Sequence, residues 1–294
     1  MEVTKTLAKF IVRHRYADIP EKVRHEAARS FLNWVGCAVG AARHETVGNA
    51  LKALAPFSGP AEATVLGRRE RLDIMLAALM NGITSHTFDF DDTHLKTVIH
   101  PSGPVASAIL ALAERKPVKG ADFLHAFILG VEAECRIGNA VYPEHYDVGW
   151  HITGTTGVFG AAAAAGRLLG LDEKQMTWAL GIAATQSSGL REMFGTMCKP
   201  FHPGNAARNG LLAALLAKSN FTSSLAGIEA SAASPACCPP PSSRARSPTG
   251  SARRGRFPSI PTSRLPAASS STRSSTAVSS FGTRTASRRT MSKA

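Results

Sequence analysis

The run Gly160-Ala161-Ala162-Ala163-Ala164-Ala165-Gly166 sets seven residues with almost no side-chain bulk next to one another. A helix built from them has little polar surface to offer water, so it suits the interior of a group of helices and not a solvent-facing position. Around this run, from Thr4 to about Ala217, apolar residues recur three and four apart and alternating β-branched stretches are few, which is a helical period. Leu7, Phe10 and Ile11 make a first short stripe. Asp18-Ile19-Pro20 reads as a turn into a helix with Pro in its first turn, where the missing N–H costs nothing; Val23, Ala27, Phe31, Trp34, Val35 and Ala38 continue along one face of it. Further helices are expected over Glu45–Leu54, Leu72–His86, Gly103–Arg115, Ala121–Ala140, Thr155–Leu169, Glu173–Ser187 and Gly204–Ala217, with Ala63-Thr64-Val65-Leu66 as the single candidate strand. The expected fold is all-α, a multi-helix bundle over residues 1–229.

After Glu229-Ala230 the period stops. From Ser231 to Ala294 the chain holds 17 Ser, 10 Arg, 10 Ala, 8 Pro and 7 Thr, with one Lys and neither Asp nor Glu. Such a segment cannot bury enough apolar surface to offset its ordering entropy, so residues 230–294 are expected to be a disordered tail. The abrupt change and the prominence of Arg, Ser, Pro and Ala fit a shifted reading frame in a GC-rich gene, with a natural tail as the alternative. The tail also accounts for the charge: the whole chain is +13, whereas residues 1–230 hold 23 basic and 21 acidic residues. The body therefore lacks the basic excess of a nucleic-acid binder, and the tail offers only Phe257 and Phe281 for base stacking. No nucleic-acid partner is expected.

The cysteines Cys37, Cys135, Cys198, Cys237 and Cys238 have no spacing that reads as a zinc site or disulfide framework, which fits a reduced, cytoplasmic setting. The opening MEVTKTLAKFIVRHRYADIP has no signal-peptide core. No window reaches the roughly 18 uninterrupted apolar residues of a membrane span.

Chemistry concentrates in four places. In His86-Thr87-Phe88-Asp89-Phe90-Asp91-Asp92-Thr93-His94 three carboxylates fall within four residues, an arrangement that is costly without cations, a metal or a ligand to compensate it. His100-Pro101-Ser102-Gly103-Pro104 stands where a helix should begin, with Ser102 as a cap; a helix amino terminus is a natural seat for a carboxylate. Gly149-Trp150-His151-Ile152-Thr153-Gly154 reads as a Gly/Thr loop leading into the small-residue helix. Gly195 to Ala207 places Lys199 and His202 in a Pro/Gly-framed loop ahead of another helix. Each of these alone reads as an ordinary turn or surface residue. Together they put acids, imidazoles and an ammonium group in loops abutting helix starts, where polar groups can converge on a polyanionic ligand.

The segments DFDDTH, HPSGPV, GWHITGTTGVFGAAAAAGRLLGLD, GTMCKPFHPGNAARNG and FTSSLAGIEA, in that order, resemble successive segments of the MmgE/PrpD family. That family includes 2-methylcitrate dehydratases, cis-aconitate decarboxylases and a branch acting on iminodisuccinate. The resemblance implies a site between a large helical domain and a smaller α/β lid, in proteins that are typically homodimers. It carries Asp89, Thr93, His100, His151 and Lys199 over as site residues. Family members continue with the lid, which supplies another lysine and a tyrosine. Nothing after Ala230 matches that continuation, so the expected fold lacks the lid.

The resulting expectation is a lyase-type scaffold for small di- or tricarboxylic acids, 2-methylcitrate dehydratase-like, that removes a proton next to a carboxylate and expels water. A carbanion-like transition state needs fixed positive charge and the leaving hydroxyl needs a proton. Asp89, His100, His151 and Lys199 are the candidate catalytic residues, with the base open among Asp89, His100 and His151; Thr93, Ser102 and His202 are candidate substrate contacts. No metal or cofactor is expected, and no cysteine triad is available for an iron–sulfur cluster. The rivals are the decarboxylase or epimerase branch of the same family, a non-catalytic remnant, and a magnesium-dependent helical lyase of terpenoid-synthase type. Asp89-Phe90-Asp91-Asp92 superficially resembles the aspartate-rich motif of that last class.

Overall fold

The Gly/Ala run falls in helix α8 (Ile152–Leu168), and every residue from Ile152 to Gly166 is buried. The computed structural model describes residues 2–233, so the expected tail lies, beyond Ala233, outside the described residues. Ten further helices complete the described fold: α1 (Val3–Arg13), α2 (Glu21–Ala41), α3 (Glu45–Leu54), α4 (Ile74–His86), α5 (Ser102–Arg115), α6 (Gly120–Val141), α7 (Glu144–Asp147), α9 (Glu173–Ala184), α10 (Cys198–Lys218) and α11 (Gly227–Ala233); α1, α5, α6, α9 and α10 pack directly on α8. Among the described residues no helix is long and apolar enough to cross a membrane. The all-α architecture read from the sequence is the one observed.

Three boundaries differ from the periodicity, each for a local reason. The expected strand is present as β1 (Ala63–Thr64), and its antiparallel partner β2 (Arg71–Leu72) occupies residues whose pattern predicts a helix start. Helix α4 begins at Ile74 because the Asp73 carboxylate accepts from the Met75 and Leu76 amides. Helices α8 and α10 start earlier than predicted, at Ile152 and Cys198, so Lys199 and His202 sit on the first turns of α10 and not in a loop. Pro203 lies inside α10, where it cannot donate to the carbonyl four residues back.

The alanines of α8 serve three hydrophobic clusters at once. Ala162 and Ala163 share a cluster with Leu7 and Ile11 of α1 and Leu180 of α9; Ala161 and Ala165 share one with Val47, Leu79 and Leu211; Ala164 shares one with Trp34, Ile109 and Phe127. Backbones come close where glycines face each other. A Cβ added to Gly130 of α6 would lie 2.7 Å from the Gly160 carbonyl oxygen, and one added to Gly82 of α4 would lie 2.5 Å from Cα of Gly204 on α10.

This packing gathers the first turns of α5, α8 and α10 at one end of the bundle. The His100 amide, just before α5, donates to Oγ1 of Thr153 on α8 at 3.1 Å. A Cβ on Gly154 would sit 3.0 Å from that of His202 on α10, and one on Gly103 would sit 3.5 Å from the Pro203 Cβ. Elsewhere, His14 at the end of α1 faces His125 of α6, Nδ1 to Nε2, at 3.1 Å. Burial, then Arg167 and His14, push the His125 imidazole down to about 4, against an upward pull from Asp122 and Asp18.

Two outcomes follow from these contacts. Gly204→Ala, which forces α4 and α10 apart, is expected to destabilise the fold by about 1–3 kcal/mol in urea unfolding; an unchanged midpoint would contradict the close approach. His125 takes a proton near its ordinary 6.5 in the unfolded chain but only near 4 in the folded one. Its contribution to stability is therefore whole above pH 6.5 and is lost as pH falls toward 4. Burial also depresses His145, His151 and His202, so His125→Gln is expected to flatten the loss across that window without abolishing it. An equally steep loss in the variant would show that His125 plays no part.

Candidate active site

Helix α4 ends at His86, and the chain then loops back to the start of α5, passing through left-handed backbone at Asp89 (φ 60°) and Val98 (φ 53°) and an antiparallel bridge between His94 and Ile99. This loop turns Asp89 and Asp91 toward the same two imidazoles, those of His86 and His100, and Asp92 toward Ser102. Asp91 is buried, with both oxygens on Nδ1 of His86 at 3.0 and 2.9 Å and one oxygen 3.4 Å from Nδ1 of His100. Asp92 accepts from the Ser102 hydroxyl at 2.7 Å and from its amide at 3.3 Å. Asp89 is half exposed; one oxygen pairs with Nζ of Lys199 at 2.7 Å, and the other lies 3.7 Å from Nε2 of both His86 and His100.

His151 precedes α8 and is held from both sides. Its amide donates to the Gly189 carbonyl at 3.0 Å, and its Nδ1 lies 2.9 Å from Nδ1 of His202. One of those two nitrogens carries the shared hydrogen, so the other ring, when neutral, carries its own hydrogen at Nε2. Gly189, at φ 129°, passes so close that a Cβ there would sit 3.2 Å from the His202 ring. The His151 ring stacks on His86 at 5.8 Å and meets Phe194 edge-on at 5.0 Å, while the Lys199 ammonium lies 5.2 Å from the Phe194 ring centre. Thr93 Oγ1 stands 3.4 Å from His100 Nδ1. Phe88, Phe90, Phe201 and Met197 are exposed nearby in sequence to these groups.

The electrostatics separate the histidines into two kinds. For His100, burial disfavours the charge, but Asp91, Asp89 and Asp92 outweigh it and raise the imidazole to about 9. For Asp91, burial likewise opposes ionisation, and the His86 and His100 imidazoles override it, holding the carboxyl far below its usual range. Asp92 goes the other way: burial and the neighbouring Asp91 raise it to about 6, against the Ser102 hydrogen bonds. His151 and His202 are neutral rings. Burial, then the positive neighbours, depress His151 to about 2 and His202 to about 4. At neutral pH the site thus presents a charged imidazole and an ammonium beside uncharged imidazoles, which is an acid and a base held apart by environment.

Of the residues singled out by sequence, Asp89, Thr93, His100 and Lys199 touch one another in a chain, and His151 and His202 join them through the His86 ring. Ser102 is not the cap predicted for α5: it is the helix's first residue, is fully buried and spends its hydroxyl on Asp92. Sequence reasoning missed His86, Asp91 and Phe194 as members of the site. The usable signal was the balance of charge, since a buried carboxylate amid three must find an imidazole, and His86 is the nearest on the preceding turn.

The cluster of imidazoles, a lysine and aspartates at the meeting of three helix starts gathers groups that could hold an anion. Residues 5–234 match the model of the MmgE/PrpD N-terminal domain, and the chain belongs to the MmgE/PrpD family. The cis-aconitate decarboxylase of Aspergillus terreus is 36% identical over 211 residues, covering 69% of this chain and 43% of that protein. The human cis-aconitate decarboxylase is 33% identical over 222 residues, covering 73% of this chain and 46% of that protein. The chain thus spans less than half the length of these curated relatives.

The two aspartates predict opposite outcomes in a stability assay. Asp91→Asn leaves two imidazoles without their buried counter-charge and is expected to cost about 3 kcal/mol or more. Asp89→Asn removes a half-exposed carboxylate, and asparagine tolerates its left-handed backbone, so about 1 kcal/mol or less is expected. Urea unfolding of both variants checks this; equal losses would mean that Asp91 is not the electrostatic keystone.

Proposed function

We propose that the protein is the helical half of a lyase for small tricarboxylic acids, acting on a substrate of the cis-aconitate kind. The observation that carries this reading is the pair of cations, His100 and Lys199, gathered around Asp89 beside two neutral imidazoles. His100 and Lys199 hold substrate carboxylates. When one carboxylate leaves as carbon dioxide, the electron pair of the broken C–C bond stays on the substrate, delocalised toward a retained carboxylate whose growing charge the fixed cations stabilise. A protonated imidazole then delivers a proton to that carbon, and His100 is the ring whose charge the site maintains. Both cis-aconitate decarboxylase relatives support decarboxylation over the other branches of the family.

A second reading, dehydration of a 2-methylcitrate-like acid, rests on His151. Its neutral ring, gripped by His202, has a lone pair to accept a proton, a step that proton removal requires and decarboxylation does not; burial makes it a weak base, which counts against this second reading. In either reading the helical domain is the catalytic part; the expected boundary at residue 229 falls inside α11, which carries helix on to Ala233. The protein would work in the cytoplasm, as a homodimer and without a cofactor; Cys37, Cys135 and Cys198 are free thiols, as a reducing compartment requires.

Titration of the chain with cis-aconitate in a calorimeter tests the binding half of the proposal. His100→Gln and Lys199→Met are each expected to weaken binding about tenfold or more, the usual loss for one charged hydrogen bond. Undiminished affinity in both variants would overturn it. Carbon NMR of incubated substrate separates the two chemistries, since released carbon dioxide marks one and water exchange at the double bond the other.

A further inference from the structure

Three nitrogens face the carboxylate of Asp89. Nζ of Lys199 pairs with Oδ2 at 2.7 Å, and Nε2 of His100 and Nε2 of His86 each lie 3.7 Å from Oδ1. The first two belong to the cations assigned to the substrate; His86 has no part in the reaction described so far. Its side chain is fully buried, and the ionised Asp91, an acceptor only, fixes a hydrogen on Nδ1 at 2.9 Å. Nε2 is buried with no hydrogen-bond partner among the described residues, and Oδ1 of Asp89 is too far away to serve as one. A buried polar atom left unmatched costs stability, so one kept at the edge of a ligand site calls for a reason. The ring is also wedged in place: His100 meets it edge-on at 4.8 Å and His151 stacks on it at 5.8 Å.

We infer that Nε2 of His86 is a third donor to the substrate carboxylate that displaces Asp89, an inference that rests on the lyase reading above. Asp89 marks the seat. Its side chain is half exposed and can turn to solvent, and a carboxylate arriving in its place meets the same three nitrogens. A ring that donates from both nitrogens is an imidazolium, and the buried Asp91 carboxylate is its counter-charge. The division of work follows from the chemistry. His100 gives its proton to the substrate carbon and then ceases to be a cation, whereas His86, whose Nδ1 sits closer to Asp91 than that of His100 does, 2.9 against 3.4 Å, keeps the carboxylate seated. A carboxylate held by three donors is the one retained, because cations on the departing group would stabilise the ground state that decarboxylation has to leave. The carboxylate lost as carbon dioxide then lies off this cluster.

The full chain is titrated in a calorimeter with tricarballylate, a saturated tricarboxylate with no double bond to react. His86→Asn is the discriminating variant, since its amide nitrogen takes the place of Nδ1 against Asp91 and nothing takes the place of Nε2. Its binding is expected to be about tenfold weaker or more, the usual loss for one charged hydrogen bond. His14→Gln, which breaks the other close histidine pair, is expected to bind as the wild type does. Should His86→Asn fail to fold, a crystal structure of the wild-type chain with tricarballylate decides, with a carboxylate oxygen expected about 2.7–3.2 Å from Nε2. Unchanged affinity in His86→Asn, an equal loss in His14→Gln, or a bound ligand with no oxygen on Nε2 would each overturn the contact; a loss that persists in His100→Gln would show that the lyase reading survives that result. No heat from the wild type up to millimolar ligand would overturn both.

Discussion

The structure depends on how closely its helices can approach α8. Five consecutive alanines between glycines let neighbours on three sides share one axis, the alanines being divided among three hydrophobic clusters. A larger side chain there would push a neighbour outward by more than the core could refill. The same close packing fixes the functional end of the bundle. Gly154 admits His202, Gly157 admits Pro104 and Gly103 admits Pro203, so the first turns of α5, α8 and α10 are pressed together. Each helix start carries a partial positive charge and unsatisfied N–H groups. Bringing three of them to one place makes an environment that favours anions before any charged side chain is counted.

Into that environment the loop after α4 delivers a carboxylate that cannot reach water. Asp91 pays for its burial by organising two imidazoles, and this single ionised group sets the protonation of its surroundings. It raises His100, and by charge it helps keep the adjacent Asp92 protonated more readily than usual. The positive groups gathered nearby in turn keep His151 and His202 neutral, on top of their burial. One carboxylate thereby yields a charged imidazole and uncharged ones within a few ångströms of each other, without a separate device for each.

Much of this was legible in the sequence, and the limits follow from what a linear pattern encodes. The helices with two-sided apolar stripes, and the buried nature of the Gly/Ala run, follow from periodicity and bulk alone. Helix starts were misplaced where the first turn is made of glycine, threonine, proline and cysteine, as in Ile152-Thr153-Gly154 and Cys198-Lys199-Pro200. Those residues lack intrinsic helical preference and are held helical by tertiary contact. The β2 strand was hidden for the same reason, since two residues carry no period. Asp89, Thr93, His100 and Lys199 could be named because they stand in distinctive local strings. His86 and Asp91 could not be ranked above their neighbours, because which of three adjacent acids turns inward is decided by a left-handed residue at Asp89 and the bridge from His94 to Ile99.

Asp89 is where an arriving anion would meet a resident one. Its carboxylate occupies Lys199 and faces His100, so any arriving carboxylate has to exchange with it for the same cations. The left-handed backbone and half-exposed side chain make that exchange sterically open, in contrast to Asp91, which is enclosed on all sides. That exchange draws on the one feature that the buried Asp91 cannot supply, a charged group free to change partners. The division of labour between neighbouring aspartates, one fixed to hold the imidazoles and one exposed to respond to what binds, is the consequence of two residues' difference in position along a single loop.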